Sequence, residues 1–342
     1  MALYGAFDLH ANNNYLAIID ENNKRILKMK LDNEPGLILK TLQPYKKELK
    51  GLVVESTFNW YWLVDLLQEN DYKVHLANPT AIKKYEGLKY SDDNHDAFWL
   101  AHLLKLNILP EGYIYPKEQR AIRDLLRKRG HLVQLRTSLI LSLQNIIQRN
   151  TGKKISANII KLKKNNILFE LLSTDDYLSF AGKTGKESID YLSNQIRLIE
   201  NKVESAMELH DSFIKLQTIP GVGKTLALTI MLETGSIKRF KKVGNFASYC
   251  RKVPTQWTSN NKIKGSGNKK SGNKYLAWAF SEAAEFIRKF DSAAKAYYQR
   301  KVAKGNRMIA HAGLAHKITR AAYYIMRDNV DYESKKLFGQ NG

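Results

Sequence analysis

The chain has 342 residues, with 55 Lys and Arg against 33 Asp and Glu, for a formal charge of +22. That length suits two or three domains with cores of their own, and that charge calls for a polyanionic partner; nucleic acid is the default, and a basic membrane-surface protein is the competing reading. The lack of a transmembrane-length apolar stretch, signal peptide or lipidation motif, together with the single cysteine, Cys250, points to a soluble intracellular protein without disulfide or Cys-rich zinc site.

Residues 1–112 read as α/β. Three short strands, Leu3–Leu9, 15–20 and 25–31, are joined by the turn-rich A-N-N-N and E-N-N-K segments. A helix over 35–49 follows, then an apolar strand 51–54 ending at Glu55, an aromatic helix near 59–70, a strand 73–77 and a helix from Asp93 to Leu106. Three hairpin-linked strands followed by alternating helices and strands fit a ribonuclease-H-like fold.

Residues 113–212 are patterned as helix throughout. Ile122, Leu125, Leu132, Leu135, Leu139, Leu143 and Ile146 recur at helical spacing, and Ile189, Leu192, Ile196, Ile199 and Val203 step by three and four as a heptad seam. Such a seam packs a helix on its own domain or joins subunits as a coiled coil; about two heptads do not choose between them.

Residues 213–342 read as a separate helical domain. Its opening I-P-G-V-G-K-T is not a phosphate-binding P-loop, because Thr218 stands where that motif needs glycine; the G-K-T at 182–184 fails likewise at Tyr177. A glycine turn between two apolar helices resembles a helix-hairpin-helix, in which Gly221, Gly223 and Lys224 would face a phosphate. A simple capping turn is the plainer alternative.

The chemistry-bearing candidates fall in two groups. Asp8 and Glu55 each end a strand, and Asp93 and Asp96 lie one turn apart at a helix start, so the second pair shares a helix face. Clustered carboxylates repel unless a cation neutralises them, and hard oxygen ligands select Mg²⁺ or Mn²⁺. Singly, each acid has a plainer role, Asp93 as a helix cap and Glu55 as a surface charge; the ordered set is the specific signal. The second group lies between Gly235 and Ser281, where eleven cations occur with no acid: Lys238, Arg239, Lys241, Lys242, Arg251, Lys252, Lys262, Lys264, Lys269, Lys270 and Lys274. Interleaved with Tyr249, Trp257 and repeated Gly and Asn, this reads as a phosphate-binding surface. Ser259 sits at its centre as a candidate nucleophile, with Ser266 and Ser271 competing, and no His or Asp of the loop offers a base. His311 and His316, on a basic C-terminal helix, are further candidates for phosphate contact.

Together these segments resemble the DEDD transposases of insertion-sequence family one-hundred-and-ten, relatives of the pilin-gene inverting recombinase. G-A-F-D-L-H-A-N-N-N-Y-L-A-I-I-D, V-V-E-S-T and D-x-x-D-A-F-W-L-A are similar to the family's three acidic motifs. I-P-G-V-G, R-F-K-K-V-G-N-F-A-S-Y-C-R-K-V-P, S-N-N-K-I-K-G and K-K-S-G-N-K-Y-L-A-W-A match its C-terminal half in order. The third acidic motif departs by carrying Asp92 before Asp93; the spacing to Asp96-Ala97 favours Asp93 as the ligand.

The resemblance implies a RuvC-like N-terminal domain whose Asp8, Glu55, Asp93 and Asp96 bind Mg²⁺, and a helical, coiled-coil linker for assembly into a dimer or tetramer. It also implies a C-terminal transposase domain with Ser259 as nucleophile, forming a 5′-phosphoserine link. The implied partners are donor and target DNA and a structured non-coding bridge RNA, in a prokaryotic cytoplasm at the nucleoid. The alternative is a RuvC-like endonuclease that hydrolyses junction DNA with metal and water alone.

Overall fold

The computed structural model describes residues 1–82, 93–162, 170–268 and 270–339; the side chains of 93–95 and 257 also lie outside the description. The chain divides into two compact units, Met1–Lys117 and Glu118–Gly342.

The first unit is built on a five-stranded sheet: β1 (Leu3–Leu9), β2 (Asn13–Asp20), β3 (Arg25–Asp32), β4 (Leu49–Glu55) and β5 (Val74–Ala77), in the order β3-β2-β1-β4-β5. β1 runs antiparallel to β2 and parallel to β4, so it is the central strand, and it is buried on both faces. The strict alternation of a strand separates its side chains into two layers. Leu3, Phe7 and Leu9 point to a core shared with Leu52, Val54, α1 (Pro35–Leu42) and α2 (Trp60–Glu69). Ala6, with Val53 of β4, points to the other face, where α3 (Asp93–Lys105) lays Ala97, Leu100 and Ala101. The helix expected over 35–49 is shorter: Pro44 has no N–H to continue it, the chain tightens into a 3₁₀ turn over Gln43–Tyr45, and β4 begins at Leu49.

The second unit is helical apart from one hairpin. It comprises α4 (Lys117–Thr151), α5 (Ala157–Lys161), α6 (Asp176–Met207), α7 (Asp211–Leu216), α8 (Lys224–Thr234), α9 (Val243–Tyr249), strands β6 (Trp257–Ser259) and β7 (Lys262–Gly265), then α10 (Lys274–Phe290), α11 (Ser292–Ala303), α12 (Arg307–Asp328) and α13 (Ser334–Phe338). α4 and α6 lie antiparallel: Arg129 pairs with Glu200 at 2.6 Å, Arg136 donates to the Ser193 hydroxyl at 3.1 Å, and Leu126 shares a core with Val203. The heptad seam is therefore used inside the chain, with Ile189, Ile196 and Val203 buried. α8 is buried all round, from Leu226 to Thr234, as expected of a central helix; α10 packs against it, and α12 joins the same core, which includes Phe246, Phe280 and Tyr323.

Candidate active site

The register of the sheet brings the acids together. Phe7 of β1 sits opposite Val54 of β4, which sets the next residues, Asp8 and Glu55, at the C-terminal ends of neighbouring parallel strands. Both fall on the face that carries Ala6 and Val53, the face covered by α3. Leu104, near the C-terminus of α3, lies beside Gly51 at the start of β4, and Lys105 reaches Asn23 in the β2–β3 turn at 2.5 Å. α3 thus runs against β1 and β4, and its first turn, with Asp96, lies at the end of the sheet where Asp8 and Glu55 stand.

Asp8 is 5% exposed and Glu55 half-buried, so charge here is shielded from bulk water. The rim is tied from below: Asn59 accepts from the Thr57 hydroxyl at 2.9 Å and donates to the His10 carbonyl at 3.0 Å, joining the segments that follow β4 and β1. His10, not singled out from the sequence, places Nε2 3.4 Å from Asp8 Oδ2. Its signal was available, because D-L-H sets the ring two residues beyond the aspartate at a strand end. Asp93 opens α3, but its side chain and all of Asp92 lie outside the described residues. Among the described residues, no group of three or more His, Cys, Asp and Glu could hold a metal. Asp8, Glu55 and Asp96 each carry oxygen donors of the kind a hard divalent cation takes.

Ser259 occupies a different setting. It ends β6 and pairs with Lys262 across a two-residue turn whose residues, Asn260 and Asn261, have φ of 49° and 59°. This is the left-handed pair a tight hairpin needs, and asparagine tolerates it better than other side chains. The serine is exposed, and its directly opposed neighbour is a lysine. The base of the excursion is clasped: Asn273 N–H donates to the Tyr249 carbonyl at 2.7 Å, and the Arg251 guanidinium donates to the carbonyls of Gly272 at 2.7 Å and of Lys270. Gly272 has φ of 96°, and a Cβ there would meet the Tyr249 carbonyl oxygen at 2.5 Å, so only glycine closes this clasp.

A model described as Transposase, of the IS110 DEDD type, matches residues 6–150, and the model described as Transposase IS116/IS110/IS902 family matches 215–299. Both models describe transposases of the IS110 type, and they match separate stretches of the chain. Similar proteins include the IS110 uncharacterized 43.6 kDa protein of Streptomyces coelicolor, 28% identical over 44% of this chain and 38% of that one. A transposase for the element IS1111A from Coxiella burnetii is 25% identical over 59% of this chain and 56% of its own. A probable family 20 transposase from Pseudomonas aeruginosa is 22% identical over 63% and 64%. The alignments thus span between 38% and 64% of the length of these relatives.

The expected phosphate contacts divide by environment. Lys238, Lys241, Lys242, Lys262, Lys264, Lys270 and Lys274 are exposed, while Lys269 lies outside the described residues. Arg239 turns inward: it donates to the Thr234 carbonyl at 3.0 Å and stacks its guanidinium over Phe240 and Tyr249 at 4.2 and 4.5 Å. Arg251 serves the clasp, and Lys252 donates to the Ser281 hydroxyl at 2.7 Å. The I-P-G-V-G turn does join two helices, α7 and α8. Gly221 has φ of 86° and packs so close to α10 that a Cβ would meet Phe286 Cβ at 2.7 Å, which accounts for the glycine by packing. Gly223 caps α8 and is exposed, and Lys224 pairs with Glu204 of α6. No described helix is long and apolar enough to cross a membrane.

Proposed function

We propose that this chain is a DNA transposase that cleaves and rejoins phosphodiesters through Ser259, with a divalent metal site of Asp8, Glu55, Asp93 and Asp96 on a RuvC-like domain. The observation that carries the reading is the meeting of Asp8, Glu55 and the first turn of α3 on one face and one end of the sheet. Carboxylates on rigid strand ends have little reason to converge in a charged rim unless a cation is to be held there. A bound Mg²⁺ would supply electrostatic stabilisation to the oxygens on a reacting phosphate.

The chain's own residues divide the remaining work. The exposed lysines around the hairpin hold the DNA backbone. Ser259 Oγ attacks phosphorus, the bond to the departing 3′ oxygen breaks, and a 5′-phosphoserine and a free 3′ hydroxyl result. Attack by a second 3′ hydroxyl then restores the serine and joins the new strand, so the sequence is isoenergetic in bond type. Lys262, opposite the serine, lowers the cost of its alkoxide. The same positive surface suits a guide RNA, with base pairing reading the DNA sequence and the protein reading backbone and shape. Assembly as a dimer or tetramer would bring two serines to the two strand ends. Action on DNA in a prokaryotic cytoplasm follows from the same reading.

The test is covalent trapping. Labelled donor and target DNA are incubated with protein, Mg²⁺ and RNA transcribed from the flank of the element, then separated under denaturing conditions. A labelled protein band that disappears in Ser259→Ala and without the RNA is the expected result. Nicked DNA without any adduct, unchanged in Ser259→Ala, would mean hydrolysis by metal and water and would overturn the serine assignment.

A further inference from the structure

The second unit contains a cavity of about 1220 Å³ whose lining includes neither the acids of the rim nor Ser259, although Arg251 of the clasp borders it. One wall is a face of α12 carrying His316, Lys317, Arg320 and Tyr324; residues 251–254 and the C-terminal segment 330–337 supply the others. That last segment is held in place by its own bonds. The Tyr332 hydroxyl donates to Asp291 at 2.8 Å, its N–H to the Thr218 hydroxyl at 2.8 Å, and Lys317 donates to the Leu337 carbonyl at 2.8 Å.

Charge around the cavity is unevenly compensated. Each of its three acids is engaged by a cation: Asp328 by Arg327 at 2.6 Å, Asp331 by Lys215 at 2.8 Å and Glu333 by Lys336 at 2.6 Å. Lys252, Lys317 and Arg320 have no carboxylate within ion-pair distance among the described residues; the two lysines donate to a serine hydroxyl and a backbone carbonyl instead. Burial holds both lysines below the ordinary lysine range, with Arg320 and Lys301 adding repulsion at Lys317. Such cations are under-neutralised, and an anion between them removes the strain. His316 Nδ1 lies 2.8 Å from the Lys252 carbonyl, which fixes its proton there and leaves Nε2 as a further polar group on the lining. The same lining presents the rings of Tyr297 and Tyr324, the latter 38% exposed.

Cations without counter-charge beside an accessible aromatic ring match a nucleotide whose base is not paired. The phosphate meets the cations and the base meets the ring, a combination a duplex cannot offer while its bases stay stacked. We propose that this cavity seats one unpaired nucleotide of a single strand, its phosphate on Lys252, Lys317 and Arg320 and its base against Tyr324. The inference rests on the nucleic-acid reading of this unit, and it is independent of whether Ser259 is the nucleophile.

The experiment uses the full chain in chelator, where no strand is cut, and reads fluorescence anisotropy of a labelled oligothymidylate and of a duplex of equal length. Tyr324→Ala weakens single-strand binding by about tenfold and leaves duplex binding within about twofold. The Lys317→Ala, Arg320→Ala double variant lowers the salt slope for the single strand by about one to two. Duplex binding retained in both variants separates a failure here from a failure of the nucleic-acid reading of this unit. Circular dichroism confirms that each variant is folded. Equal losses on single strand and duplex, or none on either, would overturn the proposal. So would tight calorimetric binding of thymidine 5′-monophosphate with strand affinity unaltered in Tyr324→Ala, since that outcome marks a free-nucleotide site.

Discussion

The acidic rim and the serine hairpin are built on opposite principles. Asp8 and Glu55 stand at the ends of paired parallel strands in the covered centre of the sheet, where register fixes each side chain to within the tolerance of a hydrogen-bond ladder. Ser259 stands beside a two-residue turn in an exposed hairpin, and precision there comes only from the clasp at residues 249–251 and 270–273. The contrast teaches a division of labour. On the function proposed above, acids that hold a cation gain from being set into the core, whereas a serine that reaches a bound strand gains from projecting beyond the surface.

The largest effect should follow from breaking the rigid half. Asp8→Asn or Glu55→Gln removes a negative charge from the rim while preserving shape, and strand cleavage should fall by about a thousandfold or more, the scale of several kcal/mol of charge stabilisation. Binding of DNA and RNA should stay within about twofold, because the basic surface is on other elements. Gel-based cleavage and mobility-shift measurements on the same variants separate the two. Loss of binding with retained cleavage would refute the assignment of these acids.

Next in size is the support beneath the hairpin. Glu233 of α8 is 2% exposed and accepts two bonds from Arg127 of α4, at 2.6 and 2.7 Å, and one from Asn273 at 2.8 Å. Asn273 in turn caps α10, accepting from Tyr275 and Leu276 at 2.8 and 3.1 Å. Arg127→Ala leaves a buried carboxylate with too few partners and should cost about 3 kcal/mol, a fall in Tm of about 6–12 °C. Pairing it with Glu233→Met should recover much of the loss, since a buried ion pair replaced by apolar side chains is often near neutral. A thermal melt of the double variant no better than the single one would show that the network is not the cause.

Much of this was legible in the sequence, for physical reasons that differ by element. The three N-terminal strands followed from the turn-rich Asn segments between them and Glu55 from the apolar run it ends, and the five-stranded sheet agrees with the mixed α/β expectation. The convergence of Asp8 with Glu55 was legible only as an ordered motif, because register is a long-range property that no local pattern encodes. The heptad seam was recognised, but its partner was not: periodicity identifies an apolar stripe and is silent on which helix covers it. Composition could not sort the phosphate candidates by environment: it gave Arg239 and Arg251 the same weight as Lys262, although the first stacks on aromatic rings and the second ties carbonyls. His10 was passed over although D-L-H sets it two residues from Asp8, and the cavity beside α12 was seen only through His311 and His316, since the rest of its lining comes from distant segments.

The smallest effect belongs to the turn itself, and it discriminates between the two halves most finely. Asn260 and Asn261 both have positive φ, and alanine at either position costs roughly 1 kcal/mol of backbone strain. The strain falls on an exposed hairpin outside the cores of the protein, so the global Tm should not move by more than about 2 °C. The hairpin should instead fray, and the yield of covalent adduct should fall about fivefold, the population change that 1 kcal/mol produces. Asn261→Gly should keep full yield, because glycine accepts the same conformation without strain. If Asn260→Ala and Asn261→Ala lowered Tm strongly, the hairpin would be part of the rigid scaffold and the contrast drawn above would fail. If both left the adduct untouched, the position of Ser259 would be set by the bound strand and not by the turn.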